Sequence, residues 1–534
     1  MPSLKANLII IVVIFALLTS CYKLFKTSTI KNVLPKLHYQ NKKLQFLPNK
    51  DEINSSTTTN IPITTKRPIL ISTNITCSTS FKNSRITILN GGEPHTVGDT
   101  LNVEVEMYDF TNRRKLYGGD FLLARIFSPS LGAASSGVVT DLGNGVYNVR
   151  FTLFWPGDSS LAFTLVHSSE AVSVLDRVRE TIPDKVTFLG TFVSGKSREV
   201  TSCHTFLNTT KQVCDYTDTH LNEPWKCEKP SELPCSALLT IKSYNKYRNV
   251  FSEEESKFFT RYNMWAPIRC PYKISVAPRN GSFGNNLQKC ITGLGNPLPS
   301  GYFFKNVWHS SNCKNIHFES ETSVMNCLKG KRVFLFGDST IRQWWEYIVR
   351  FVKDLKPLDN HKPGKHQPKI AVNESNDITW QWFCHSYPFI ASANTYPEDL
   401  KYVANRIDNI TGGGDTVVAI SLGAHFTPFP LDVFQKRMHN IKAAVQKLLI
   451  RSPETKVIVK LANVRENVAI AIFNNWSTFK MNQILLEVFH QMDVAFVDAW
   501  DVTAVLNSKK IHPNNNILKV ELDLFLSFVC SEYV

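Results

Sequence analysis

Apolar and polar residues alternate strictly along Leu101-Asn102-Val103-Glu104-Val105-Glu106-Met107, and again along Val146-Tyr147-Asn148-Val149-Arg150-Phe151-Thr152-Leu153. A two-residue period puts one face of a strand in a core and the other in water. Gly91-Gly92, Gly118-Gly119, Gly143-Asn144-Gly145 and Pro156-Gly157 interrupt these runs at turn positions. Short strands with such turns predict an all-β part over residues 76–199, built as a sandwich. Beyond residue 301 the pattern changes. Residues 332–336, 416–422, 456–461 and 493–497 are short apolar runs and are expected as buried strands. Ile341, Trp344, Ile348, Phe351, Val352 and Leu355 fall on one stripe at helical spacing. Further helices are expected over 431–449 and 478–491. Strands alternating with helices predict a parallel sheet covered by helices on both faces.

The remaining segments read differently. Residues 6–22 are apolar and free of charge, with Lys5 before them and Lys23 and Lys26 after. Residues 1–26 therefore read as a cleaved signal peptide or an uncleaved signal-anchor. Either one sends the rest of the chain into the secretory pathway, secreted or Golgi-luminal as a type II protein. Membrane contact is then expected only through this segment, if it is uncleaved. Residues 27–75 are rich in Lys, Thr, Ser and Asn without apolar periodicity, and read as a stem. Residues 200–300 hold six cysteines among Asn, Pro and charged residues, and read as a disulfide-stapled connecting region. A chain of 534 residues exceeds one hydrophobic core, so several domains are expected.

Charge and cysteine usage narrow the class. Of the net charge of +15, +8 sits in residues 1–75. No zinc-finger spacing or RNP-like motif accompanies it, so a nucleic-acid partner is not expected. Eleven cysteines lie beyond Cys21 and none forms a C-x-x-C pair. That excludes the common zinc and thioredoxin patterns and points to disulfides in an oxidising compartment. Sequons begin at Asn54, Asn74, Asn208, Asn280, Asn373, Asn409 and Asn475, as in a luminal glycoprotein.

The chemistry concentrates in Phe336-Gly337-Asp338-Ser339-Thr340-Ile341-Arg342, which ends a strand and opens a helix. Ligands in open α/β sheets bind beyond the carboxyl ends of strands. A Ser at such a junction lies near helix N-terminal N–H groups that can hold an oxyanion. Ser421-Leu422-Gly423-Ala424-His425 follows a second strand and offers further donors. Asp498 and Asp501 end a third, and His512 follows them. The order Ser, carboxylate, His meets the demand for a nucleophile, a base and an orienting acid.

FGDSTIRQWWEYI, SLGAHFTPFPLDVF, VDAWDVT and IHP resemble the neurexophilin and PC-esterase domain (NXPE) family. Arg113-Arg114-Lys115-Leu116-Tyr117-Gly118-Gly119-Asp120-Phe121 and the segment 151–157 are similar to that family's N-terminal half. The resemblance covers about residues 77–534. It implies an Ig-like or filamin-like sandwich followed by an α/β PC-esterase domain of the SGNH-hydrolase type. It further implies acyl transfer to a glycan hydroxyl, as in plant polysaccharide and sialate O-acetyltransferases. Acetyl-CoA would be the donor, sialic acid a candidate acceptor, and no cofactor or metal would be bound. Ser339 matches the nucleophile and His512 the base. Gly337, Asp338, Arg342, Gly423 and His425 match oxyanion and substrate positions. Many relatives carry Asp three residues before the His, where this chain has Lys509, so the orienting carboxylate comes from Asp498 or Asp501 or is absent. The alternatives are a carbohydrate O-acetyl esterase, or an inactive neurexophilin-like secreted protein that binds a cell-surface receptor.

Overall fold

The computed structural model describes residues 74–533 except 93, 248, 280–286, 360–365 and 466–468. The leader, most of the stem, Asn54 and Asn280 lie outside the described residues. Among the described residues, no helix is long and apolar enough to cross a membrane. The described residues fall within one compact unit.

Two N-terminal sheets share one core. The smaller is antiparallel, in the order Arg85–Ile88, Thr100–Glu106, Val146–Thr152, Val138–Asp141. Along Thr100–Glu106 the residues Leu101, Val103 and Val105 are buried and their neighbours are not, as the alternation requires. They pack with Ile126, Phe163, Leu165 and Val276 of an eight-stranded sheet. That second sheet corrects the expected boundaries. Its strands include Ala266–Ile268 and Lys273–Ala277 from the segment read as a connector, and Gly301–Phe304 and Val307–Ser310 from beyond residue 300. These pairings are long-range, and nothing local in the sequence encodes them.

The Lys115-to-Phe121 motif has a structural explanation. Helix Ser169–Thr181 begins beneath it, capped by Ser168, which accepts from the Ala171 N–H at 3.2 Å. Glu170 is buried and accepts from the Lys115 ammonium and from the Tyr117 hydroxyl at 2.6 Å. Asp120, also buried, accepts from the Ser169 N–H at 2.7 Å and from the Tyr147 hydroxyl at 3.0 Å. One buried cation thus faces two buried carboxyl groups, and burial pushes the Asp120 carboxyl upward. Removing one partner of such a network leaves an uncompensated charge, at a cost of about 3–5 kcal/mol. Lys115→Met is accordingly expected to lower the thermal unfolding midpoint sharply and reduce secretion. An unchanged midpoint would contradict the network.

Residues 186–245 form a third, five-stranded antiparallel sheet stapled by Cys203–Cys227 and Cys214–Cys235. It packs on the C-terminal part through Trp225 stacked on Tyr387 at 4.0 Å and through the buried Arg437–Glu223 pair at 2.8 Å. Cys290–Cys313 and Cys327–Cys530 are further disulfides among the described residues, and these four fit a secretory-pathway protein.

The C-terminal part is α/β. Its seven-stranded sheet runs Lys356–Pro357, Lys369–Asn373, Ile378–Cys384, Arg332–Gly337, Thr416–Ser421, Lys456–Lys460, Ala495–Val497. The last five are mutually parallel. Every residue of Thr416–Ser421 is buried, the signature of a strand covered on both faces. The chain leaves Arg332–Gly337 for the Ile378–Cys384 side, then crosses to Thr416–Ser421 on the other. Gly337 therefore ends the strand at which the direction of winding reverses, where α/β sheets bind ligands.

Candidate active site

Three strand ends converge, because Gly337 is in register with both Cys384 and Ser421. Asp338 caps helix Ser339–Phe351, accepting from the Thr340 N–H at 2.8 Å and the Thr340 hydroxyl at 2.7 Å. Its second oxygen accepts from the Ala424 N–H at 2.8 Å. One buried carboxylate thus fixes the Ser339 helix against the Gly423–Phe426 segment. Ser339 and Gly423 are each the first residue of a helix, so neither N–H has an intrahelical acceptor.

The half-buried Ser339 Oγ lies 2.8 Å from Nε2 of the exposed His512. The two are 173 residues apart, and the contact has the length of a nucleophile–base hydrogen bond. Gln343, on the Ser339 helix, reaches the Pro513 carbonyl at 3.4 Å. The Ser339 helix itself is held from below by Trp344, whose indole donates to the buried Glu521 at 2.8 Å.

The other expected site residues are placed as follows. Arg342 pairs with Glu346 at 3.0 Å and lies over the Trp382 ring at 5.6 Å. His425 Nδ1 meets His385 Nε2 at 2.8 Å. Burial, with His425 and Arg437 adding, holds His385 well below the ordinary imidazole range. His385 follows the strand Ile378–Cys384 and was not anticipated. Neither was Arg465, whose buried guanidinium reaches the Thr427 hydroxyl at 2.9 Å and the Ala424 carbonyl at 3.4 Å. Burial pushes Arg465 down to about 10, which leaves it charged at neutral pH. Both residues follow the carboxyl ends of strands, the one sequence signal that marks them.

Asp498 and Asp501 are not brought to His512. Asp498 caps helix Ala499–Val505, accepting from the Asp501 N–H at 2.9 Å and from Asn296 at 2.8 Å. Asp501 accepts from the Ser136 hydroxyl, and from the Ser300 N–H and hydroxyl at 2.7 and 2.8 Å. These carboxyl groups fasten the helix to the larger N-terminal sheet. Burial, then the Asp501 carboxylate, pushes Asp498 up to about 7. The same group titrates near ~3.9 in an unfolded chain. Between these values the folded state holds the extra proton, so this stabilisation is complete below about pH 4 and is lost as pH rises through 7. Wild type is expected to lose on the order of 2–4 kcal/mol relative to Asp498→Asn between pH 4 and pH 8. Parallel curves of melting temperature against pH for the two proteins would refute the assignment.

The glycosylation expectations divide. Asn74, Asn208 and Asn409 are exposed. Asn373 and Asn475 are buried, and their amide nitrogens donate to the Asp354 and Arg465 carbonyls. The native fold has no room for a glycan at those two sequons.

Two family models match the chain. One, described as NXPE family member 4-like, C-terminal domain, matches residues 308–530, and the other, Neurexophilin, matches residues 58–252. Among curated proteins, Protein trichome birefringence-like 36 of Arabidopsis thaliana is 24% identical over 151 residues, which are 28% of this chain. The match spans about a third of that relative's own length, 36%. Among solved structures, invasin, a bacterial integrin-binding protein, aligns over 60% of each chain at 10% identity with a TM-score of 0.14, a likeness too slight to carry an argument.

Proposed function

The chain belongs to the NXPE family, and from that premise we propose that it is a serine-dependent acyl-ester enzyme of the secretory pathway, an O-acetyltransferase acting on glycan hydroxyls. In this reading the C-terminal part is a PC-esterase domain of the SGNH type, and the paired N-terminal sheets are an Ig-like module. The observation that carries it is the 2.8 Å contact between Ser339 Oγ and His512 Nε2 at the carboxyl end of the central strand. His512 takes the Ser339 proton as Oγ attacks the acetyl carbonyl. The oxyanion forms beside the Ser339 and Gly423 N–H groups, in a wall ordered by Asp338, His425 and Arg465. His512 then protonates the leaving group, and Ser339 carries the acetyl group. A glycan hydroxyl gives its proton to His512 and attacks the ester, which returns the proton and the free serine. Acetyl-CoA is the donor this scheme needs and sialic acid a candidate acceptor. The match to a trichome birefringence-like protein, and the resemblance to a fold group that includes plant polysaccharide O-acetyltransferases, support transfer over hydrolysis.

Glycan mass spectrometry of cells expressing wild type or Ser339→Ala tests the reading. A gain of O-acetyl groups with wild type alone is expected. A loss of acetyl groups would make the protein an esterase. No difference would favour a binding protein.

A further inference from the structure

The Asp338 carboxylate is buried one residue before Ser339 and accepts from the Thr340 and Ala424 N–H groups, each at 2.8 Å. Thr340 and Ala424 are the second residues of the helices that open at Ser339 and Gly423. A fixed negative charge therefore stands one peptide group from each of the N–H donors at those two helix starts. Two other buried cations of the C-terminal part, Arg437 and Lys460, have carboxylates of their own, Glu223 at 2.8 Å and Glu521 at 3.6 Å. Arg465 differs. Its buried guanidinium donates to neutral oxygens, the Thr427 hydroxyl at 2.9 Å and the Ala424 carbonyl at 3.4 Å, and lies over the Phe473 ring at 5.1 Å. The Asn475 amide grips the backbone of the same residue, accepting from the Arg465 N–H at 2.9 Å and donating to its carbonyl. Neutral acceptors only partly offset the cost of burying a charge. Burial lowers the proton affinity of the guanidinium and the Asp338 carboxylate raises it, so the two charges sense each other. Both bond Ala424, Asp338 at its N–H and Arg465 at its carbonyl.

We propose that Arg465 is the counter-charge of Asp338, a positioning residue that keeps the wall around the forming oxyanion electrically neutral. The proposal rests on the acyl-transfer reading and deepens it. In that reading the carbonyl oxygen of the acetyl group gains negative charge beside the Ser339 and Gly423 N–H groups. The Asp338 carboxylate orders both donors, and its own charge opposes the one that develops. In a buried site such repulsion is weakly screened. Arg465 offsets it from the carbonyl side of Ala424, and it stays charged at neutral pH. No bond is made or broken at Arg465, and no proton leaves it. The pair lets Asp338 cap one helix and hold the other without slowing the chemistry beside it.

A double-mutant cycle on the luminal protein tests the pairing, with Arg465→Gln, Asp338→Asn and both together, read in p-nitrophenyl acetate turnover and in melting temperature. Arg465→Gln leaves the Asp338 charge unopposed. It is expected to lower kcat by about tenfold or more with KM within about twofold, because only the charged transition state suffers. Asp338→Asn alone is expected to slow turnover as well, since its amide offers one acceptor oxygen where the carboxylate offers two. Adding Arg465→Gln to Asp338→Asn should then cost less than about threefold, because no carboxylate remains to be neutralised. A purely structural arginine would cost the same in both backgrounds, and equal losses would overturn the proposal. Arg465→Lys keeps the charge and should turn over faster per folded molecule than Arg465→Gln; equal rates would also count against the pairing. If Arg465→Gln does not fold, the double variant decides. Folding regained with Asp338→Asn supports the pairing, and a double variant that fails where Asp338→Asn folds refutes it. Wild type that turns over no ester would remove the acyl-transfer reading alone. The cycle in melting temperature then still measures the pair, and additive shifts there would dismiss it.

Discussion

Ser339→Ala, His512→Ala and the double variant are each expected to lose acyl-ester turnover by about 10⁴-fold or more, and by nearly the same factor. Ser339 and His512 share a single proton, across a 2.8 Å contact. Once the serine hydroxyl is gone, the imidazole has nothing to deprotonate. Once the imidazole is gone, the hydroxyl is a poor nucleophile at neutral pH. Groups that act as a unit are grossly non-additive, so the second substitution should cost little after the first. Release of p-nitrophenol from p-nitrophenyl acetate by the purified luminal protein reads the effect without knowledge of the acceptor. Losses that multiply in the double variant would mean that the two residues serve separate steps. Turnover that survives Ser339→Ala would remove the serine from the chemistry. The residual rate is informative too, because the Ser339 and Gly423 N–H groups remain in place and can still favour attack by water.

The pairing of Ser339 with His512 is legible because its signals are local and directional. A short apolar run, a Gly and a helix stripe leave Ser339 one place to be, and His512 follows a strand end on the same edge. Asp498 and Asp501 misled for a physical reason. A carboxylate just after a strand is what an orienting acid needs, and it is also what a helix N-terminus needs. The sequence does not distinguish the two, and here Asp498 is a cap while Asp501 joins the helix to Ser136 and Ser300. The sheet over residues 186–245 was illegible because its interior is organised by disulfides and by Trp225 against Tyr387, not by a regular alternation. Gly301–Phe304 joined the N-terminal sheet through pairing with Ala133–Ser136, a contact whose register lies in neither segment alone. Sequons at Asn373 and Asn475 carry no sign of burial, which only the folded chain imposes.

Gly337→Ala is expected to be among the most damaging single-methyl changes available to this protein. Gly337 has φ +152, and a Cβ there would stand 1.8 Å from the Ser421 carbonyl oxygen and 2.7 Å from its carbon. Neither backbone can yield easily. Gly337 and Ser421 are partners in the parallel ladder, and the Asp338 N–H donates to that same Ser421 oxygen at 3.0 Å. Relief requires the central strand to part from its neighbour by more than an ångström, at the residue pair preceding Ser339. The stability cost falls in the rare class above about 4 kcal/mol. Displacement of Ser339 from His512 by ~1 Å would cost a further ~10²-fold in rate in whatever protein still folds. Gly195→Ala supplies the control. Gly195 also has positive φ, +58, but a Cβ there meets nothing within 4 Å, so only the backbone penalty of about 1 kcal/mol applies. Secreted yield and melting temperature of the two variants, followed by turnover per folded molecule, separate backbone conformation from close approach. If Gly337→Ala proved no worse than Gly195→Ala, the tight contact between strand Arg332–Gly337 and Ser421 would not be what positions Ser339.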